Sequence, residues 1–433
     1  MRQHRMLPPS NSKPNTPPPD QEGDFSLMPD PTSRFIADHR NDDVRQLALG
    51  KKPPGVDSTF ALEQIAGWQT ARTKLPTWAA TEGIVYPPHL SLEQCSSETT
   101  ARYKARLCQR LLADAPVQGT AFADITGGMG VDFSFLAPLF EHSYYIERLP
   151  HLCACARHNF PLLGLEGIEV MEVDGIEALD RLPHLRLLFV DPARRDSHGA
   201  RTFSISDCTP DLLPLLPRLL DKADLVVAKL SPMLDWHHTA ASLDAASTGA
   251  VKEIHIVATG NECKELLVVL SAGAPIGPTT LHCANDDCLF TTDIETERQA
   301  PAPPFVADFA EAATAIWLYE PNAAIMKAGC FGTLAMQWPL KALAANSHLF
   351  VGDRHFADFP GRQLRIQSIC TLNKRQLKAT LAGITHANIT TRNFPMSAAE
   401  LRKRLRLIDG GAHHILASTI GKCEHVLFVC TKT

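Results

Sequence analysis

Four short stretches of this chain combine glycines and carboxylates at spacings that serve chemistry. The first is Asp124-Ile125-Thr126-Gly127-Gly128-Met129-Gly130, which follows the apolar run Ala121-Phe122-Ala123 and precedes a helical stretch from Val131. A strand that ends in a glycine-rich turn and feeds a helix brings bare backbone up to a ligand, because glycine accepts positive φ and permits close approach. The spacing is not the G-x-G-x-x-G of dinucleotide sites, and no Lys-Ser/Thr follows as in a Walker A loop, so nicotinamide, flavin and ATP are disfavoured. The second stretch is Tyr144-Tyr145-Ile146-Glu147, about 20 residues on, where a carboxylate at a strand tip can accept both ribose hydroxyl protons. The third is Asp174, after Val170-Met171-Glu172-Val173, placed to face an adenine amine. Either acid alone reads as a solvated strand end. The glycine turn, Glu147 and Asp174, in that order and at strand–helix spacing, point jointly to a nucleoside-type ligand.

The fourth stretch is Leu187-Leu188-Phe189-Val190-Asp191-Pro192-Ala193-Arg194-Arg195. An apolar strand ends in Asp-Pro, at the carboxyl edge where open α/β sheets hold ligands. Pro192 stops the strand and fixes the turn. Asp191 can orient a nucleophilic nitrogen or take its proton. Arg194 and Arg195 suit a phosphate, the acids Asp207 and Asp211, or a plain surface pair. Metal chemistry is not expected. The 12 cysteines form no C-x-x-C knuckles, and the adjacent pairs His237-His238 and His413-His414 point to different faces of any regular element.

These residues need strands to hold them. Between residues 121 and 295, short apolar runs alternate with helical stretches: 121–125, 144–146, 169–173, 187–190, 225–228 and 253–258. That rhythm implies a parallel sheet with crossover helices, and continuous apolar runs imply strands covered on both faces. Upstream, residues 31–116 read as helical: Asp57-Ser58 can cap a helix through Leu62, Ile65 and Trp68, and Ser91 another from Leu92 toward Leu112. Residues 1–30 are Pro-rich, with few large apolar side chains, and are expected to be disordered. A second Pro-rich segment, Ala300-Pro301-Ala302-Pro303-Pro304, separates the sheet region from a small α+β region, 296–360, and a final basic region, 361–433. In the last, Ser397 can cap a helix through residues 398–407, and Asp409-Gly410-Gly411 leads to two apolar strands, 413–419 and 425–430.

Charge supplies a further sign. Residues 361–410 hold ten Lys or Arg against two acids, a net +8 on a chain whose total is -5. Arg375, Lys378, Arg392, Arg402, Lys403 and Arg404 are the candidates for phosphate contact, as a basic terminal region on an acidic protein suggests. With no apolar h-region at the start and no apolar run of ~20 residues, a cytoplasmic protein with no membrane partner is expected.

Residues 124–130, Glu147, Asp174 and Asp191-Pro192 resemble the motifs of class I methyltransferases. The fuller resemblance is to bacterial class I methyltransferases with a ferredoxin-like insert and a C-terminal THUMP-like domain. It rests on Leu92-Glu93-Gln94-Cys95-Ser96-Ser97-Glu98, Asp191-Pro192-Ala193-Arg194-Arg195, Lys229-Leu230-Ser231-Pro232, Glu320-Pro321-Asn322-Ala323-Ala324 and Asn393-Phe394-Pro395-Met396-Ser397. The resemblance implies an α/β fold: a Rossmann-like, mainly parallel seven-stranded sheet over residues 117–295, with a helical N-terminal region and small α+β C-terminal domains. It implies S-adenosyl-L-methionine as cofactor, held by Asp124, Thr126, Gly127, Gly128, Gly130, Glu147 and Asp174. Ser97 either folds over that cofactor or caps a helix. Asp191, Pro192 and Arg194 would attend the methyl acceptor, expected to be a nitrogen of structured RNA, rRNA or tRNA, with no metal. Ala193 and Arg194 stand where N6-adenine enzymes carry Pro and an aromatic residue, and Lys229-Leu230-Ser231-Pro232-Met233 lacks the Cys that covalent uridine-C5 chemistry needs. The alternatives are a small-molecule or protein methyltransferase, or a non-catalytic RNA-binding protein with a relic cofactor fold.

Overall fold

The computed structural model describes residues 30–51, 53–114, 120–194, 204–273, 277–421 and 423–432. All of the Pro-rich segment before residue 30 lies outside the described residues. The described residues form two compact units, one drawn from residues 30–94 with 149–164, the other from residues 95–148 with 165–432.

The first unit holds helices α1 (Asp30–His39), α2 (Val44–Leu49), α3 (Ser58–Lys74), α4 (Pro76–Ala80) and α5 (His89–Gln94). Asp57 caps α3 as its position suggests, its carboxylate accepting the Phe60 N–H at 3.0 Å. Gly67 sits inside that helix because a Cβ there would lie 2.5 Å from Tyr86 Cβ. The helix expected from Ser91 toward Leu112 is instead two helices, with Ser91 inside α5 and a new start in the second unit at α6 (Glu98–Asp114). The break falls where Ser97 Oγ accepts the Thr100 N–H at 3.3 Å and satisfies the new helix end. Among the described residues, no helix is long and apolar enough to cross a membrane.

The second unit is α/β. Strand β1 (Ala121–Asp124) leads to helix α7 (Val131–Leu136), β2 (His142–Glu147) to helix α8 (Pro150–Leu162), which groups with the first unit, and β3 (Ile168–Glu172) to helix α9 (Gly175–Ala178). Then come β4 (Leu185–Val190), α10 (Leu212–Lys222), β5 (Ala223–Leu230), α11 (Trp236–Ala246), β6 (Val251–Thr259), β7 (Glu262–Leu270), β8 (Thr280–Asn285) and β9 (Cys288–Asp293). The strand order is β9-β8-β6-β7-β5-β4-β1-β2-β3. Every residue of β4 is buried, as the continuous apolar run implies. The expected count of seven strands is corrected: among the described residues the sheet has nine. Strand β7 runs antiparallel between β5 and β6, and the hairpin β8–β9 extends the edge beyond β6. Three strands were missed. β7 opens on Glu262-Cys263-Lys264-Glu265 before it becomes apolar, and the turn that makes it, Gly260-Asn261 with φ of 57° and 62°, is the left-handed pair that two-residue hairpins favour.

The rest of the chain builds a second sheet. Helices α12 (Ile294–Gln299) and α13 (Phe309–Ala312) precede β10 (Trp317–Pro321), α14 (Ala323–Ala328), α15 (Phe331–Gln337), β11 (Lys341–Ala342) and β12 (Phe350–Gly352). There follow β13 (Gly361–Thr371), α16 (Lys374–Thr380), β14 (Asn388–Thr391), α17 (Ala398–Leu405), β15 (His413–Ile420) and β16 (Glu424–Thr431). The order is β11-β12-β10-β13-β16-β15-β14, so a single sheet runs from residue 317 to residue 431. The join is the antiparallel pairing of β10 with β13, which sets Glu320 opposite Arg362. One face packs through Leu318, Leu364, Leu416 and Phe428. The other packs Cys370, Ile415 and Leu427 against Leu377 of α16 and Leu401 of α17. Ser397 caps α17 in a reciprocal box with Glu400, as the Ser-x-x-Glu spacing predicts.

Candidate active site

The glycine turn, Glu147 and Asp174 meet at the carboxyl ends of three adjacent strands. Gly127 and Gly128 follow β1, and Gly130, at φ 82°, stands at the start of α7. Gly127 is required by its neighbour in the fold, since a Cβ there would lie 2.4 Å from the Tyr145 ring. Gly128, at φ 55°, donates its N–H to Glu147 Oε2 at 2.9 Å, and its carbonyl accepts the Tyr145 hydroxyl. The turn and the β2 tip are thereby tied together. Asp174 Oδ1 accepts the Ile176 N–H at 2.9 Å and starts α9, while its second oxygen has no hydrogen-bond partner among the described residues. Gly175 brings this loop against the first one: a Cβ there would lie 2.0 Å from the Ile125 carbonyl oxygen.

Asp124 serves the loop itself. It is 2% exposed, and its Oδ1 accepts both the N–H and the hydroxyl of Thr126, at 2.9 and 3.1 Å. Burial pushes its pKa up to about 8, with repulsion from Asp132 and Asp191 adding to the effect. Thr126 Oγ1 in turn accepts the Asp191 N–H at 2.7 Å. The Asp124–Thr126 pair therefore fixes the start of the Asp-Pro segment at the tip of β4. Pro192 is buried, and Ala193-Arg194 pairs with Cys208-Thr209 in a short antiparallel ladder. The Arg194 side chain and Arg195 lie outside the described residues.

Behind Asp191 stands a buried ionic network that sequence reasoning missed. Lys229, near the end of β5, lies 2.5 Å from Asp191 Oδ2 and 3.4 Å from Asp132 Oδ2. Lys104 of α6, with a side chain 0% exposed, lies 3.1 Å from Asp132 Oδ1 and 2.5 Å from Glu265 Oε2. Ser96 donates to Asp132 at 2.7 Å and accepts from Lys104 at 3.2 Å. Burial lowers the Lys229 pKa, but Asp191, Asp132 and Glu265 outweigh it and hold the ammonium well above its usual range. Burial raises Asp191, and Lys229 opposes the rise. Burial also raises Asp132, yet Lys104 and Lys229 overcome that and leave it below its usual value. The one visible trace of Lys104 in the sequence is its place on the helical stripe of Ala101, Leu107, Cys108 and Leu111, all of them buried.

The remaining candidates are dispersed. Ser97 caps α6. Arg375 and Lys378 lie on α16, and Arg402, Lys403 and Arg404 on α17, the two helices that cover one face of the second sheet. Arg402 pairs with Asp409 at 2.5 Å, and Arg392 with Glu320 at 3.2 Å. Glu253, His255 and His282 bring ligand-type atoms within 4.8 Å of one another. They are engaged with protein groups: Arg110 holds Glu253 at 2.5 Å, Tyr103 holds His255 at 2.8 Å, and the His255 and His282 rings stack 4.3 Å apart at 9°. Nitrogens in parallel stacked planes do not converge on a shared ion, so the geometry is that of a packed polar chain.

Residues 361–432 match the family described as THUMP domain-like, and residues 317–360 match the PG_1098 ferredoxin-like domain. No curated protein matches the chain. Among solved structures, the "putative methyltransferase" from Porphyromonas gingivalis W83 is 34% identical, with 93% of this chain and 98% of that one covered and a TM-score of 0.79. Two others are similar over part of the chain. A SAM-dependent methyltransferase from Agrobacterium tumefaciens is 13% identical, over 41% of this chain and 63% of its own, at a TM-score of 0.31. An rRNA methylase from Streptococcus thermophilus is 15% identical, over 38% and 94%, at 0.30. At 34% identity across nearly its whole length, the chain belongs to the family of the Porphyromonas protein, class I methyltransferases that carry a ferredoxin-like and a THUMP-like domain after the Rossmann-like sheet.

Proposed function

We propose that this protein transfers a methyl group from S-adenosyl-L-methionine to a nitrogen of structured RNA. The observation that carries the reading is Asp191, held at the carboxyl tip of β4 by Thr126 at 2.7 Å and Lys229 at 2.5 Å, on the same edge as the glycine turn, Glu147 and Asp174. The donor set fits the cofactor. Glu147 offers a carboxylate to a ribose, and Asp174 has an oxygen open to an adenine amine. At Gly128, where a Cβ would meet only the Thr126 carbonyl oxygen, the turn leaves room for the amino-acid part. When bound, the cofactor supplies an electrophilic methyl group on a sulfonium.

The protein's own contribution is positioning and proton handling. Lys229 favours the ionised form of Asp191, and the carboxylate accepts a hydrogen bond from the attacking amine. As the nitrogen–carbon bond forms and the carbon–sulfur bond breaks, the amine acquires a positive charge and releases its proton to Asp191. The RNA reading draws on the THUMP-like match and on the basic side chains of α16 and α17.

The test is transfer from radiolabelled cofactor to RNA from cells that lack the protein, with wild type and Asp191→Asn compared. Label in RNA with wild type, and at least about 100-fold less with the variant, supports the reading. Cofactor binding without label in RNA overturns it and turns the search to proteins and small molecules.

A further inference from the structure

A cavity of about 560 Å³ opens where the second sheet meets the carboxyl edge of the first. Asn261, in the turn after β6, and Asn285, at the end of β8, supply one wall; Glu320, Asn322, Arg362 and Arg392 supply the other. Strands β6 and β8 run parallel to β4, so their ends lie on the same edge as Asp191. From β4 the order is β5, β7, β6, β8. At about 4.8 Å per strand, the cavity stands roughly 14–19 Å along that edge from Asp191. It lies on the opposite side of β4 from the glycine turn, Glu147 and Asp174, so it is separate from the cofactor-type site.

The wall is rich in donors. Asn261 Oδ1 accepts the Ala323 N–H at 2.8 Å, and Asn322 Oδ1 accepts the N–H groups of Ala324 and Ile325 at 3.0 and 3.1 Å. With both carbonyl oxygens bound to backbone, the amide N–H groups remain. Asn261 Nδ2 has no partner among the described residues, and Asn322 Nδ2 reaches only the Cys288 sulfur, at 3.9 Å. Arg362 and Arg392 share the single carboxylate of Glu320, and their side chains stay 38% and 43% exposed. Among the residues that line the cavity, two guanidinium groups face one carboxylate; the Asp286 carboxylate, which accepts from Asn285 Nδ2 at 3.2 Å, stands behind the other wall. An anion with several acceptor oxygens meets amide and guanidinium donors together here.

We infer that this cavity is a phosphodiester subsite, which grips the backbone of the RNA acceptor a short stretch of chain away from the nucleotide at Asp191. The inference rests on the RNA reading above. It gives Arg362 and Arg392 a role apart from the basic faces of α16 and α17, because here the cations are held in fixed geometry by Glu320.

The test uses two isosteric changes, Asn261→Asp and Asn322→Asp, in the full chain. Asp tolerates the left-handed φ of 62° at position 261 and can still accept the Ala323 N–H. Asp caps a helix as well as Asn, so α14 keeps its start. Each change replaces a donor with a negative charge, and a melting temperature equal to wild type certifies the fold. The probe is end-labelled total RNA, fragmented to uniform length, bound over a range of salt. Each variant is expected to bind roughly 5- to 20-fold more weakly, with a log–log salt slope smaller in magnitude by about 0.7–0.9, the share of one phosphate contact. Wild-type binding with unchanged affinity and slope in both variants overturns the subsite and leaves the RNA reading in place. Failure of wild type to hold RNA at any salt overturns both. Inorganic phosphate, followed by ³¹P line width, separates the sources: phosphate lost from the variants while RNA affinity is unchanged identifies a free-phosphate site and overturns the RNA assignment.

Discussion

The ammonium of Lys229 lies 2.5 Å from Asp191 Oδ2, on the strand next to the one that carries Asp191. The two residues come from the ends of β4 and β5, so the sheet itself sets their distance. Burial works against the ionised form of Asp191, and Lys229 works for it. The carboxylate is 38% exposed, so water shares in its stabilisation and the effect of burial is the smaller for it.

Replacing Lys229 by Gln removes the cation that favours ionised Asp191. The Asp191 pKa then rises, and the ionised fraction at a given acidic pH falls. The acidic limb of the methyl-transfer profile should move to higher pH, with roughly tenfold or greater loss at pH 6 and a smaller loss at pH 8. A profile lowered equally at every pH would show that Lys229 has no part in the ionisation of Asp191.

Lys104 is predicted to hold the core of the second unit together. It bridges Asp132 and Glu265 with no exposure to water. Lys104→Met leaves two buried carboxylates without their common partner, which costs about 3–5 kcal/mol. The urea midpoint should fall accordingly. Glu265→Gln keeps a hydrogen-bond acceptor for Lys104 and leaves Asp132 as its counter-ion, so its loss should be clearly smaller. Equal losses in the two variants would contradict the bridging role.

The legible part of the site was local in sequence. The glycine turn and Glu147 lie about 20 residues apart, and each marks the end of an apolar run, so strand rhythm alone placed them on one edge. The network behind Asp191 was not legible for the opposite reason. Lys104 and Glu265 are 161 residues apart, and a pair at that separation leaves no periodic signature. Gly127 shows a subtler limit. Its place in a glycine-rich turn suggests a ligand, yet the group that excludes a side chain there is the Tyr145 ring. The second sheet was seen only in pieces, because the pairing of β10 with β13 that unites it depends on tertiary register.

Asp124→Asn should change how stability depends on pH. In the folded chain Asp124 keeps its proton up to about 8, whereas an unfolded Asp releases it near ~4. Between those values the folded state binds more protons than the unfolded one. Stability therefore falls as pH rises through that window, by up to about 1.4 kcal/mol per pH unit from this group, and the effect levels off on either side. Asn can still accept the Thr126 N–H through its Oδ1. The variant should show a flatter melting temperature between pH 5 and 8, and its advantage over wild type should grow with pH. Parallel melting curves across that range would remove Asp124 as the titrating group.

Gly175→Ala should separate the two loops proposed to hold the cofactor. A Cβ at 175 would stand 2.0 Å from the Ile125 carbonyl oxygen and 3.0 Å from its carbonyl carbon. These are backbone atoms, so no rotamer change relieves the clash, and one loop must move away from the other. Asp174 is the residue next to the substitution and starts α9, so any shift carries its carboxylate with it. Overpacking of this kind costs about 1–3 kcal/mol of stability. The functional effect should be larger, with affinity for S-adenosyl-L-methionine reduced at least about tenfold, because the groups proposed for adenine and ribose no longer keep their spacing. Calorimetric titration of the cofactor gives the number. Gly277→Ala is the control, since a Cβ there meets nothing within 4 Å, and it should bind the cofactor as wild type does. If Gly175→Ala binds equally well while the control behaves as expected, the close approach of Gly175 to Ile125 belongs to the packing of the sheet alone, and Asp174 has no part in holding the cofactor.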